Sequence, residues 1–164
     1  MVGAGFRAAL VGLFLALSVQ TLDFVEFEVP MRQKDEIALL TLTVAMEAEG
    51  EPLDGKLAVA WTIVNRSRKF GWSLSDTILK DKHFSAWNEG SPTRMRLDVI
   101  SDDIMDDAEW VALRSYHNLV ADPTGGATHY LNKELTKKIR GGSLPRWVAA
   151  MKETITIGRH TFYA

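Results

Sequence analysis

Three glutamates stand at alternate positions, Glu47, Glu49 and Glu51, where an apolar helical pattern runs out around Gly50 and Pro52. The C-terminal end of a helix carries partial negative charge, so carboxylates are poorly placed there if they serve structure alone. Glu47 is the sharpest case. At about 100° per residue it shares a helix face with Ile37, Leu40 and Val44. Burial and the helix dipole both favour the uncharged acid at such a position. A carboxyl kept protonated near neutrality is what general-acid cleavage of a glycosidic bond requires. The plain alternative is three solvated acids at a helix end, with Glu49 on another face and Glu51 beyond Gly50.

Two further segments carry chemistry-bearing side chains. Phe84–Asn88 (FSAWN) sets Phe84 and Trp87 beside Ser85 and Asn88, inside a stretch (Lys82–Thr93) with no useful period that reads as a loop. Aromatic faces stack on sugar rings, and an amide supplies both donors and acceptors. The alternative is a loop whose aromatics plug the core. Thr128, His129 and Tyr130 similarly align polar and aromatic groups on a strand. The four histidines, His83, His117, His129 and His160, show neither His-x-x-x-His nor His-Glu-x-x-His spacing. His117 reads as an ordinary helix residue. His129 and His160 fall in two strand regions that can approach each other as a metal pair, a polar lining or a packed pair. No Gly-x-Ser-x-Gly elbow and no phosphate loop is present, and neither a metal nor a cofactor is expected.

These residues need elements to position them. Asp35–Glu49 reads as a central helix, apolar on two faces, with Asp35 and Glu36 in its first turn and Gly50 as its stop. Asp54–Lys69 reads as a second helix, apolar nearly all round through Val64 and ended by Gly71; Ser75–Lys80 is a short third, capped by Ser73 or Ser75. Asp103–Val120 is a long helix with acids at its start, and Ala121–Gly126 is a tight turn. Ala127–Asn132 alternates like a strand. Leu135–Arg140 and Pro145–Lys152 read as short helices, and Thr154–Tyr163 as a strand pair bent at Gly158. The pattern predicts an α+β fold, mainly α-helical, with a small antiparallel sheet from the C-terminal third.

The 164 residues suit one domain, and 46% apolar with 24% charged residues is a globular composition. Without cysteine there is no disulfide framework, thiolate nucleophile or Cys-ligated metal. Nineteen basic against 21 acidic residues leave a net charge of −2, which argues against nucleic acid as a partner. Ala8–Val19 is a 12-residue apolar run after Arg7, the layout of an export signal or an uncleaved signal anchor, with Ala16-Leu17-Ser18 suited to cleavage. The alternative is an N-terminal helix packed on the domain. Thr21–Lys34 reads as a linker, so residues 1–34 deliver the chain and 35–164 form the working domain.

Five segments, in order, resemble the SleB/CwlJ-type cell-wall hydrolase family of spore-cortex lysis and phage lysins. They are Glu47-Ala48-Glu49-Gly50-Glu51-Pro52; Gly55–Ala60 running into Val64-Asn65-Arg66; Phe84-Ser85-Ala86-Trp87-Asn88; Asp122–Tyr130; and Ile157–Tyr163. The resemblance covers about residues 36–164. It implies a lysozyme- or lytic-transglycosylase-like helical core and cleavage of the β-1,4 bond between N-acetylmuramic acid (MurNAc) and N-acetylglucosamine (GlcNAc). The family's catalytic acid falls on Glu47, and Glu51 becomes a supporting hydrogen-bond partner or an auxiliary acid. Phe84, Ser85, Trp87, Asn88, Thr128, His129 and Tyr130 become the glycan-binding residues. The acid at position 49 departs from the family, where a basic or small residue is common. One acid serves either the lytic transglycosylase or the muramidase route.

The expected partners are then peptidoglycan glycan strands and, through residues 8–19, a membrane, with the chain a monomer acting in the periplasm or cell envelope. Phage origin, with action in a host, suits the same layout. Two other functions compete: a metal-dependent wall amidase or peptidase built on His129 and His160, and a membrane-tethered wall-binding module that cuts nothing.

Overall fold

The computed structural model describes residues 31–91 and 98–164. The apolar run 8–19, most of the linker and the last residues of the 82–93 loop lie outside them. Six helices and three strands follow in the order α1 (Met31–Glu47), α2 (Leu53–Phe70), α3 (Leu74–Leu79), α4 (Asp102–Tyr116), β1 (His129–Leu131), α5 (Lys133–Ile139), α6 (Arg146–Ala150), β2 (Glu153–Ile157) and β3 (His160–Tyr163). A 3₁₀ turn, Ser85–Trp87, lies between α3 and α4.

Helix α1 is the axle, packed against α2, α3 and α4. Leu40, Val44 and Ala45 are fully buried, and with Ala58, Ile63, Val111, Ala112 and Phe162 they form one core. That packing explains why α1 is apolar on both sides. It begins at Met31, so the last four residues assigned to the linker belong to the helix. Glu36 consequently sits in the second turn, where it does more than complement the dipole. Its carboxylate is buried and accepts bonds from the Leu74 backbone N–H (3.2 Å) and the Tyr116 hydroxyl (3.0 Å), joining α1 to α3 and α4.

The other boundaries follow from capping chemistry. Gly71 caps α2 in the left-handed conformation (φ 67°). Ser73 caps α3 by accepting from the Asp76 N–H. Helix α4 stops at Tyr116, four residues before the predicted end. Asn118 adopts φ 56°, and the N–H groups of His117, Asn118 and Leu119 fold back onto the last carbonyls. Asn tolerates that conformation better than most residues. Asn132 caps α5 through Leu135 N–H (2.9 Å), which starts that helix at Lys133.

The sheet is antiparallel with order β1-β3-β2. Its register pairs His129 with Tyr163, Tyr130 with Phe162 and Leu131 with Thr161. Facing pairs share a side of the sheet, and neighbours alternate. Tyr130, Phe162 and His160 therefore occupy one face, with ring centroids 4.9 Å (Tyr130–His160) and 5.8 Å (Tyr130–Phe162) apart. His129 occupies the other, with Trp147 (5.2 Å). The two histidines that could have approached each other are divided by the sheet.

Candidate active site

Glu47 is the last residue of α1 and is half-buried. Three donors from two other segments hold it. The Ser85 hydroxyl and the Ala86 backbone N–H both donate to Oε1 at 3.1 Å. The Tyr130 hydroxyl donates to Oε2 at 3.3 Å. The acid thus sits where α1, the 3₁₀ turn and β1 converge, with its two oxygens oriented from two sides. Burial pushes the Tyr130 phenol well above its ordinary range, and the charge of Glu47 adds to that. Tyr130 stays a hydrogen-bond donor to Glu47 across the physiological range.

A second set of bonds sets where Tyr130 stands. From α2, the Asn65 side-chain amide donates to Asp122 (2.9 Å) and to the Ala127 carbonyl (3.1 Å). The Arg66 guanidinium grips the Thr128 carbonyl through Nε (2.9 Å) and Nη2 (2.7 Å). Asp122 also accepts from Thr124 N–H, the Thr124 hydroxyl and Gly126 N–H, so the turn closes around its carboxylate. Burial alone would raise the Asp122 carboxyl, but those donors outweigh it and hold it below its ordinary value. The turn, β1 and Tyr130 are thereby fastened to α2.

Glu51 performs the matching task for the other hairpin. It is 5% exposed, and its oxygens accept from the Arg159 backbone N–H and Nε, each at 2.8 Å. Burial acts to raise its carboxyl, yet the Arg159 bonds and nearby His160 bring it below the usual glutamate value. Gly158 lets this happen: it has φ 58°, and a Cβ there would collide with Glu51 Oε2. Gly50 is likewise tight, because a Cβ would run into the Arg159 guanidinium. Both oxygens of Glu51 are occupied in fastening the β2–β3 turn to the loop after α1.

The remaining expected site residues divide. Ser85 is exposed and touches Glu47. Asn88 is half-buried and accepts from the Lys82 N–H (3.3 Å), which closes the loop on itself. Trp87 is half-buried; its indole N–H donates to Thr43 (2.9 Å) while its ring lies against the core. Two residues do not line a cleft. Phe84 is 3% exposed, because its ring packs in the core beneath the Arg66 guanidinium (5.1 Å). Thr128 is 1% exposed, its carbonyl taken by Arg66 and its hydroxyl bonded to His129 Nδ1 (3.0 Å). Asn65, Arg66, Asp122 and Arg159 had no assigned role in the sequence, although each lies in a segment carrying the family resemblance. Among the described residues, no group of three or more His, Asp or Glu side chains is placed to hold a metal ion.

His129 is half-buried beside Arg66, and burial followed by repulsion from Arg66, Lys69 and His83 pushes its imidazole down to about 4. Burial also lowers His160. An unfolded histidine takes its proton near 6.5, so the unfolded chain binds protons that the folded one refuses. This contribution to stability is complete above pH 6.5 and is lost as pH falls from there toward 4. Urea unfolding should show midpoints dropping across that window, with a shallower slope in His129→Gln. An unchanged slope in that variant would show that His129 does not set it.

The cell wall hydrolase family model matches residues 50–163, and the chain belongs to that family. Glu47 lies just ahead of the matched stretch. Among its relatives, the spore cortex-lytic enzyme of Halalkalibacterium halodurans is 31% identical over 130 residues, covering 78% of this chain and 34% of that enzyme. The spore cortex-lytic enzyme of Oceanobacillus iheyensis is 28% identical over 131 residues, covering 79% of this chain and 41% of that enzyme. The chain spans about a third to two-fifths of the length of these relatives. The catalytic domain of the Bacillus cereus SleB protein superposes with a TM-score of 0.61 at 25% identity, over 80% of this chain and 91% of that one. The catalytic domain of the germination-specific lytic transglycosylase SleB from Bacillus anthracis has the same TM-score at 24% identity, over 80% and 95%, and shows the shared fold.

Proposed function

We propose that residues 31–164 form a peptidoglycan glycosidase that cleaves the MurNAc–GlcNAc β-1,4 bond with Glu47 as its acid, and that the residues before them carry it to the cell envelope. The observation that supports this best is a half-buried carboxyl at the end of the central helix, oriented by three donors from two other segments, in a cell wall hydrolase fold. Glu47 gives its proton to the glycosidic oxygen as the bond to the muramyl C1 breaks. The carboxylate so formed takes the proton of the muramyl C6 hydroxyl, whose oxygen closes onto C1. The acid is restored, and the product is a 1,6-anhydro sugar with no water consumed. Ser85, Ala86 and Tyr130 steady the carboxylate while it is charged.

A second carboxylate would be needed at a set distance for the usual hydrolytic pair. Glu51 has both of its oxygens held by Arg159. The transglycosylase route needs one acid and fits better. Mass spectrometry of fragments released from purified sacculi decides it: muropeptides lighter by one water than their hydrolysed counterparts are expected. Fragments of full hydrolysed mass would replace the ring-closing step with attack by water. Release of free stem peptides instead would remove the glycosidase reading in favour of an amidase.

A further inference from the structure

A cavity of about 360 Å³ is bordered by Tyr130, and Glu47 is not among its lining residues. Its volume is in the range of small-molecule clefts (about 300–1,000 Å³). Arg66, Lys82, His83, His129, Trp72 and Trp147 contribute to its wall along with Tyr130, the residue whose hydroxyl bonds Glu47.

Arg66 is the unusual member. It is 7% exposed, yet among the described residues no carboxylate pairs with it. Its Nε and Nη2 are engaged by the Thr128 carbonyl, and among those residues no bond engages Nη1. A buried cation without a counter-ion is costly unless something supplies the missing charge. The surroundings do not supply it. The standing cations that act on His129 are Arg66 and Lys69, and those acting on His83, which burial holds below its ordinary value, are Arg66 and Lys80. Lys80 lies 3.9 Å over the Trp72 ring. Lys82, at the rim, holds a left-handed backbone (φ 63°) that a lysine adopts only at some cost. In a chain of net charge −2, this is a local concentration of positive charge between aromatic walls.

Resting on the glycosidase reading above, we infer that this cavity is a subsite for a carboxylate borne by the muramyl residue, received by Arg66 and Lys82 while Trp72 and Trp147 cover its apolar neighbours. The sugars of the wall glycan are otherwise uncharged, and its carboxylates are carried on the lactyl ether of the muramyl unit or on the peptide attached there. A guanidinium with free N–H donors is suited to bind either.

Calorimetry with the full chain tests this using GlcNAc–MurNAc disaccharides, which lack the bond that is cut and so report binding without turnover. Four ligands in two pairs are compared: the free lactyl acid and its lactyl amide, and the disaccharide tripeptide and its form with the carboxyls amidated. At least one acid should bind about tenfold more tightly than its amide, with the margin shrinking as salt rises. A margin confined to the lactyl acid assigns that group, and one confined to the tripeptide assigns the stem. The margin should fall in Lys82→Gln and in Arg66→Lys. Since Arg66 variants risk misfolding, the comparison between acid and amide carries the decision on the unaltered protein: equal affinities for both pairs overturn the subsite. Wall clearance by Glu47→Gln at the wild-type rate would sink the glycosidase reading and leave the charge-dependent binding intact, so the two failures are distinguishable.

Discussion

Glu47→Gln should clear peptidoglycan suspensions about 10²–10⁴-fold more slowly than wild type while melting at the same temperature. The factor corresponds to about 3–5 kcal/mol on the barrier, the share that a positioned proton donor contributes. Glutamine has the shape of glutamate, and its carbonyl oxygen can accept the bonds that Ser85 and Ala86 N–H now give to Oε1. Its NH₂ faces Tyr130, which can turn its hydroxyl from donor to acceptor. The fold therefore loses little, and the transferable proton is what disappears. Tyr130→Phe separates position from chemistry, since it keeps the acid and removes one of the three bonds that orient it; a loss of roughly tenfold in kcat is expected. A Glu47→Gln enzyme that clears walls at the wild-type rate would show that the acid lies elsewhere.

Glu51→Ala should destabilise the domain by about 2–4 kcal/mol, read as a lower urea midpoint. The substitution deletes two charge-assisted bonds to Arg159 and leaves a void beneath Gly55 and Gly158. Against the total stability of about 5–15 kcal/mol typical of such domains, that is a large fraction. Arg159 itself is largely solvated (62% side-chain exposure), so its charge is not stranded when the partner goes, which keeps the loss below that of a fully buried pair. Gly158→Ala attacks the same junction from the opposite side by forcing a Cβ into the Glu51 carboxylate at a positive φ. If Glu51 only supports the hairpin, both variants should keep activity in proportion to the folded fraction. A fully stable Glu51→Ala protein with no activity would make Glu51 an acid of the reaction instead. Acid should act on the native pair too: with its carboxyl held below 4.5, Glu51 contributes stability that is complete above that pH and lost as pH falls through its lower folded value.

The helical half of the fold was legible because its signals are local. The apolar period of α1 and α2, Gly71 after α2 and Ser73 before α3 each follow from residues a few positions apart. Boundaries failed at the end of α4, where a left-handed Asn118 turns the chain early, and at the start of α1. Glu36 looked like a first-turn acid, but Leu74 and Tyr116 bury it, and α1 runs back to Met31. Glu47 stood out because an acid at a helix C-terminus needs a reason, and the three donors around it supply a physical setting. Phe84 and Thr128 were misplaced because composition cannot tell which side of a loop or strand meets the core. Phe84 turns inward under Arg66, and the Thr128 hydroxyl is taken by His129. Arg66 and Asp122 were invisible as parts of the site because their roles lie in contacts about 60 residues away in sequence or in a turn closed on backbone N–H groups.

The bond from Arg159 to Glu51 spans 108 residues, and that from Tyr130 to Glu47 spans 83. Closing loops of that length has an entropic cost that is met only when the sheet docks, so these contacts belong to the late, slow part of folding. The α1–α4 contact closes a loop of similar length, 80 residues from Glu36 to Tyr116, and Phe162 of β3 completes the core the helices share; until the sheet docks, Glu47 lacks the Tyr130 bond and the β2–β3 turn is unlatched. Emergence from the ribosome runs in the same direction: the residues that complete the arrangement are synthesised more than 80 positions after the acid itself. The bonds that orient Glu47 are therefore complete only once the C-terminal third of the chain has docked on the helices.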